Sequence, residues 1–264
     1  MKIIVCVKQV PDTSGKVAVN PDGTLNRASM ATITNPDDLN AVEAALVLKE
    51  QTGAEVVIVS MGPPPAEGML RELMAMGVDE GVLITAREFG GSDTFATSQI
   101  IAAGIDTYGV DEDDIILAGR QAIDGDTAQV GPQVAEKLGL NQITYTEEIL
   151  SLEDGKITVK RHIDGGVETV ESSLPCVLTV NGSAAPCRPR NVKRVMKFKR
   201  CLAPMELPQG TDYADLPYAS EYEKKPYLKI GQLTCADINA DLQQCGLAGS
   251  PTKVKNVENI GFKA

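Results

Sequence analysis

At 264 residues, 43% of them apolar and with a formal net charge of −11, the chain can bury a sizeable core and is too acidic for broad nucleic-acid binding. A lone histidine, His162, excludes a multi-histidine metal site and nearly excludes a histidine-dependent triad, and six cysteines without a CxxC pair are not a metal signature. No apolar run is long enough to span a bilayer, and the opening MKIIVCVKQV reads as a strand and not as a leader, so no membrane insertion and a cytoplasmic protein are expected.

Lys2 to Val10 is a continuous apolar run, the pattern of a strand buried on both faces, ended by Pro11. Residues 14–34 read as an irregular excursion with a turn at Pro21-Asp22-Gly23. Asn35-Pro36 opens a helix that runs to Gly53, with Leu39, Val42, Ala45 and Leu46 at helical spacing. Glu55 to Met61 is a second strand. A proline-rich turn follows, then a helix whose Met69, Leu70, Leu73 and Met74 are expected in the core. Gly81 to Thr85 is a third strand, and Gly90-Gly91-Ser92-Asp93 leads into a helix over Thr94 to Tyr108, capped by Ser92 or Asp93.

Asp114 to Ala118 is the fourth strand, and the segment after it, GRQAIDGDTAQVGPQVAEKLGL at 119–140, organises the chain. It reads as strand end, flexible loop and helix start, with a cap at Asp126 or Thr127 and a stop at Gly139. That geometry points free backbone N–H groups at an anion, for which a nucleotide phosphate is the natural guest. An ordinary βα turn satisfies the same local pattern. Asp124 and Asp126 would also repel a phosphate unless they face ribose hydroxyls, backbone donors or solvent.

Four β–α alternations over residues 2–139 predict an α/β fold with a doubly wound, mostly parallel sheet. Ligands in such sheets bind beyond the carboxyl ends of the strands. One rim should therefore carry Lys8-Gln9, Ser60-Met61-Gly62, Gly90 to Asp93 and the loop after Gly119. No GxGxxG follows the first strand, which excludes the usual NAD-binding fingerprint.

After residue 140 the grammar changes. Gln142 to Leu152, Lys156 to Ile163, Val167 to Val170 and Cys176 to Val180 read as strands of an antiparallel extension. Arg188 to Arg200 holds seven basic residues and no acid, either a solvated face or a docking patch for an acidic protein or an anionic cofactor. From Cys201 onward the periodicities fade between prolines. An extended C-terminal arm over 201–264, laid on a partner through Tyr213, Tyr218, Tyr222 and Tyr227, is expected beside a nucleotide-binding domain over 1–200.

Several segments together resemble the β (small) subunit of electron-transfer flavoproteins: VCVKQVPDT at 5–13, NPDDLNAVEAAL at 35–46, VSMGPP at 59–64, GRQAIDGDTAQVGP at 119–132, VKRHIDGGVETVESSLPCVLT at 159–179 and GLAGSPTKV at 246–254. The resemblance covers essentially the whole chain. It implies a nucleotide-binding domain paired with a larger α subunit, and a site holding AMP in ordinary members or a second FAD in electron-bifurcating ones. DGDTAQVGP looks like the bifurcating version, in which Gly125 and Ala128 let the loop approach a flavin closely.

Carried over by position, Cys6 lies by the adenine through its backbone, Asn35 and Asp38 lie at the following helix start, and Ile58, Val59, Ser60 and Met61 line the second strand end. Ala122, Asp124, Gly125, Asp126, Thr127, Ala128, Gln129 and Val130 wrap ribose and phosphates. The implied partners are the α subunit, ferredoxin and an acyl-CoA dehydrogenase-like reductase, with NADH as electron donor and no catalytic acid or base. The family's partner-recognition loop aligns near Val192 to Lys197, with Val192 where a leucine is expected. The alternative is a non-bifurcating small subunit holding structural AMP.

Overall fold

The structure, a computed structural model, describes residues 1–12 and 31–252. Strand β1 (Lys2–Cys6) is apolar on both faces: Ile3 and Val5 enter one core cluster and Ile4 the other. Helix α1 (Pro36–Thr52) starts on a proline, carries Asp37 and Asp38 in its first turn and stops at Gly53, whose φ of 75° suits glycine. Then come β4 (Glu55–Met61), α2 (Glu67–Met76), β5 (Glu80–Ile84), α3 (Thr94–Tyr108), β6 (Ile115–Gly119) and α4 (Val130–Leu138). Met69, Leu70, Leu73 and Met74 are all buried. These strands are parallel and lie in the order β5-β4-β1-β6. The winding therefore reverses between β1 and β6, and ligands of such sheets bind in the crevice beyond the carboxyl ends at that point.

The first strand is shorter than its apolar run suggests. It ends at Cys6, and Gln9–Pro11 is a separate strand, β2, paired antiparallel with β3 (Thr32–Thr34) off the main sheet. The break has a local cause: the Lys8 N–H donates to Asp38 Oδ2 at 2.7 Å, and its carbonyl accepts from the Asn35 N–H at 2.9 Å. The first turn of α1 has replaced a sheet neighbour. The turn expected at Pro21-Asp22-Gly23 lies outside the described residues.

The second correction concerns β10 (Cys176–Val180). It is not part of the antiparallel extension but runs parallel between β6 and β7 (Asn141–Glu153). Only β8 (Lys156–Ile163) and β9 (Gly166–Ser173) continue from β7 in antiparallel pairs. A fully buried CVLTV has no alternation to reveal its direction, and the parallel slot buries both faces.

Beyond Val180 the basic segment forms a short helix, α5 (Val192–Lys197), and much of its charge is spent inside the chain. Arg188 pairs with Glu43 at 2.9 Å and also with Glu50, Arg190 with Glu72 at 3.0 Å, and Arg200 with Glu221 at 3.2 Å. Arg194 donates to the Met76 carbonyl at 2.7 Å. The C-terminal arm has short elements, α6 (Ala219–Lys224), β11 (Gly231–Leu233) and α7 (Gly246–Gly249), yet it is tied to its own domain. β11 joins β5 in parallel at the sheet edge, and Cys201, Ala203, Tyr222, Leu228 and Ile230 are buried in the main core. Its contacts come singly, so no period announces them.

Candidate functional site

The crevice between β1 and β6 is floored by the first turn of α1. Asn35 caps that helix and is fully buried. Its amide donates to the Gln121 carbonyl at 2.8 Å, and its Oδ1 accepts from the Ile123 N–H at 3.1 Å. One side chain thus holds both ends of the strand-to-loop turn. Asn35→Ala leaves two backbone groups without partners and is expected to lower unfolding stability by about 2 kcal/mol, read from denaturant titration; an unchanged midpoint would contradict this role.

Asp38 bridges the two strands. Its Oδ2 takes the Lys8 N–H and its Oδ1 the Gly119 N–H at 3.1 Å, joining the ends of β1 and β6. Burial pushes its carboxyl up to about 7; the donors from Asn35, Lys8 and Gly119 pull it down, and neighbouring Asp37 pushes it up. Cys6 stands beside it, half-buried, its thiol pushed up to about 12 by burial and then by the Asp38 charge. That thiol is inert at neutral pH. Gly119 allows the close approach, because a Cβ there would overlap Asp38 Oδ1 and lie 2.6 Å from the Asp38 backbone nitrogen.

In the loop over 120–129 both carboxylates that would repel an anion have partners of their own. Lys8 Nζ donates to Asp124 at 2.7 and 2.9 Å, and Gln121 Nε2 donates to Asp126 Oδ1 at 2.8 Å. Both carboxylates are thereby committed inside the chain. The expected cap at Asp126 or Thr127 is corrected: α4 begins at Val130 behind Gln129, whose side chain makes no cap bond. In place of a cap, Asp126 and Ala128 hold left-handed backbones at φ 50° and 51°, and Gln129 follows at φ −103°, ψ −30°. Left-handed next to right-handed residues aim successive N–H groups to one side, the geometry of an anion nest. No acceptor within the described chain is found for the N–H groups of Thr127 and Ala128.

The other expected residues fall into two groups. Ile58 and Val59 are buried on opposite faces of β4 in the two core clusters, so their side chains do not reach the rim. Ser60 and Met61 lie at its carboxyl end, beside Cys6, which is in register with Val59. The Ser60 hydroxyl is buried with no partner, as a group awaiting a ligand would be. Ala122 to Val130 form the opposite bank, where Asp124 to Thr127 are exposed and nothing lies within 4 Å of a Cβ built on Gly125.

Periodicity gave no hint of Arg120 or Gly131. Arg120 pairs with Asp37 at 3.2 Å and stands 6.0 Å over the Tyr145 ring. Gly131 lets α4 approach β10, since a Cβ there would meet Thr179 Cγ2 at 2.6 Å.

The nest, the unpaired Ser60 hydroxyl and the open bank at Gly125 fit a nucleotide with phosphates at α4 and its base towards β4. Because Gly125 packs against nothing, Gly125→Val is expected to hold stability within about 0.5 kcal/mol. If the bank carries a dinucleotide, the same change should weaken FAD binding about tenfold, roughly 1.4 kcal/mol, by titration. Unaltered affinity would place the ligand elsewhere.

Comparison with known proteins gives the family. The family model described as electron transfer flavoprotein domain matches residues 22–201. The chain is similar to the acryloyl-CoA reductase electron transfer subunit gamma of Anaerotignum propionicum, 52% identical over 96% of this chain and 86% of the relative. It is 44% identical to the electron transfer flavoprotein subunit beta of Clostridium acetobutylicum, over 97% and 86%. It is also 53% identical, over 68% of each chain, to the caffeyl-CoA reductase-Etf complex subunit CarD of Acetobacterium woodii.

Proposed function

Since the chain belongs to the electron transfer flavoprotein family, we propose that it is the FAD-carrying small subunit of an electron-bifurcating member, working in the cytoplasm. The observation that carries this reading is the open nest at Thr127 to Gln129, with Asp124 paired to Lys8 and Asp126 held by the Gln121 amide within the chain. The chemistry supplied by the cofactor is two-electron acceptance from NADH and its division between ferredoxin and the flavin of the α subunit, which feeds an acyl-CoA dehydrogenase-like reductase.

The chain's own residues bind and orient. The N–H groups ahead of α4 hold the phosphates, Asn35 and Asp38 keep the crevice open, and Ser60 offers its hydroxyl to the adenine side. Gly125 lets the bulkier dinucleotide lie against the loop. Burial keeps the Cys6 thiol protonated, and His162 lies on the β8 strand.

Docking of the reductase is assigned to α5. There Val192, Val195 and Met196 are exposed at 78%, 43% and 61%, unusual for apolar residues on one short helix. The lysines Lys193 and Lys199 beside them suit an acidic rim on the partner.

The test is a cofactor count on the complex of this chain with its α subunit. Two flavins per heterodimer and no AMP are expected. One flavin with one AMP would overturn the bifurcating reading in favour of a small subunit with structural AMP.

A further inference from the structure

We infer that the C-terminal segment Gly246–Thr252 is a positioning clamp for the phosphate nest, acting through α3. The inference rests on the nucleotide reading of the nest. The segment follows the arm and packs against the turn before α3 on an unusually specific set of contacts. Ser250, 5% exposed, accepts the Asp93 N–H on its hydroxyl at 2.9 Å and donates to the Gly246 carbonyl at 2.6 Å. Ser92 Oγ accepts the Gly246 N–H at 3.1 Å.

Asp93 is shared between the two partners. One oxygen caps α3 by accepting from the Ala96 N–H at 3.0 Å, and the other accepts the Thr252 N–H at 2.9 Å. These donors hold its carboxyl below the usual range, against the push of desolvation. Two glycines make the fit. Gly246 sits at φ 56°, where a Cβ would overlap the Glu88 carbonyl, and a Cβ on Gly91 would meet Leu247 at 2.7 Å. A loosely associated tail would need none of this.

From α3 the position passes to α4 by three polar rungs. Thr94 Oγ1 donates to Gln129 Oε1 at 2.8 Å, and Lys137 Nζ donates to Gln99 Oε1 at 3.0 Å. Between them Ser98, fully buried, places its hydroxyl 3.1 Å from Gln133 Oε1. Gln129 is the residue that ends the nest. The tail therefore fixes where α3 begins, α3 fixes the register of α4, and that register fixes the N–H groups that meet phosphate. Thr94 and Ser250 are positioning residues, since neither lies on the nest itself.

The experiment uses the complex of the full chain with its α subunit, carrying Ser250→Ala, Thr94→Val or Thr94→Ser. FAD and AMP are titrated separately, and amide hydrogen exchange of a peptide covering residues 126–136 is followed without nucleotide. Ser250→Ala and Thr94→Val are expected to weaken nucleotide binding about 3- to 10-fold and to speed that exchange, while Thr94→Ser stays within about twofold of the unaltered chain. The double variant should lose less than the product of the two single losses, because both act along one path. Unchanged exchange in Ser250→Ala, or Thr94→Ser as weak as Thr94→Val, would overturn the clamp. An unaltered complex that binds neither FAD nor AMP, yet whose exchange quickens in Ser250→Ala, would overturn the nucleotide reading and leave the clamp standing.

Discussion

Gly119→Val is expected to destabilise the chain by about 3 kcal/mol, because the new side chain collides with backbone that cannot move aside. The first turn of α1 lies directly on the end of β6: a Cβ at 119 would overlap Asp38 Oδ1 and come within 2.6 Å of the Asp37 carbonyl carbon. Relief requires α1 to lift, which breaks the Gly119 N–H bond to Asp38 and loosens the Asn35 contacts with the following loop. Fold and site should fail together. Thermal unfolding of the complex should fall by roughly 6–12 °C, with nucleotide lost on gel filtration. A melting temperature within 2 °C of the unaltered chain (about 0.5–1 kcal/mol) would refute the close packing.

The second large effect is a dependence of stability on pH, carried by Asp38. Burial raises its carboxyl from the ordinary 3.8 to about 7, despite three groups that donate to it. The folded chain therefore holds the proton more tightly than the unfolded one. Stabilisation from this group is complete below about pH 4 and fades as pH rises through about 7. Over that window the loss is on the order of 4 kcal/mol at most. Asp38→Asn cannot titrate and gives up one of the two backbone bonds, a constant offset. In urea unfolding between pH 5 and 8, the stability difference between the unaltered chain and the variant should shrink steadily as pH rises. A difference independent of pH would mean that Asp38 stays ionised throughout.

Much of the scaffold was legible in the residues. Continuous apolar runs gave the parallel strands, Met69 to Met74 the buried face of α2, and Ser92 or Asp93 the cap of α3, of which the structure shows Asp93. The loop after Gly119 could be picked out, but its electrostatics could not. Asp124 reads as an obstacle to phosphate until Lys8 is seen on it, 116 residues away in the chain. The basic run at 188–200 reads as one charged patch, and its partners Glu43, Glu50, Glu72 and Glu221 lie on three other helices.

By itself the sequence determined the α/β alternation, the rim on which a ligand could sit and the family to which the chain belongs. Each is written in neighbouring residues, because periodic burial, caps and breakers act within a few positions. Only the tertiary structure decided that β10 enters the parallel sheet, that Asp38 joins two strand ends, and that Ser250 holds Asp93 from 157 residues away. Those outcomes depend on which surfaces meet after the strands are ordered, and contacts between distant residues leave no local period to read.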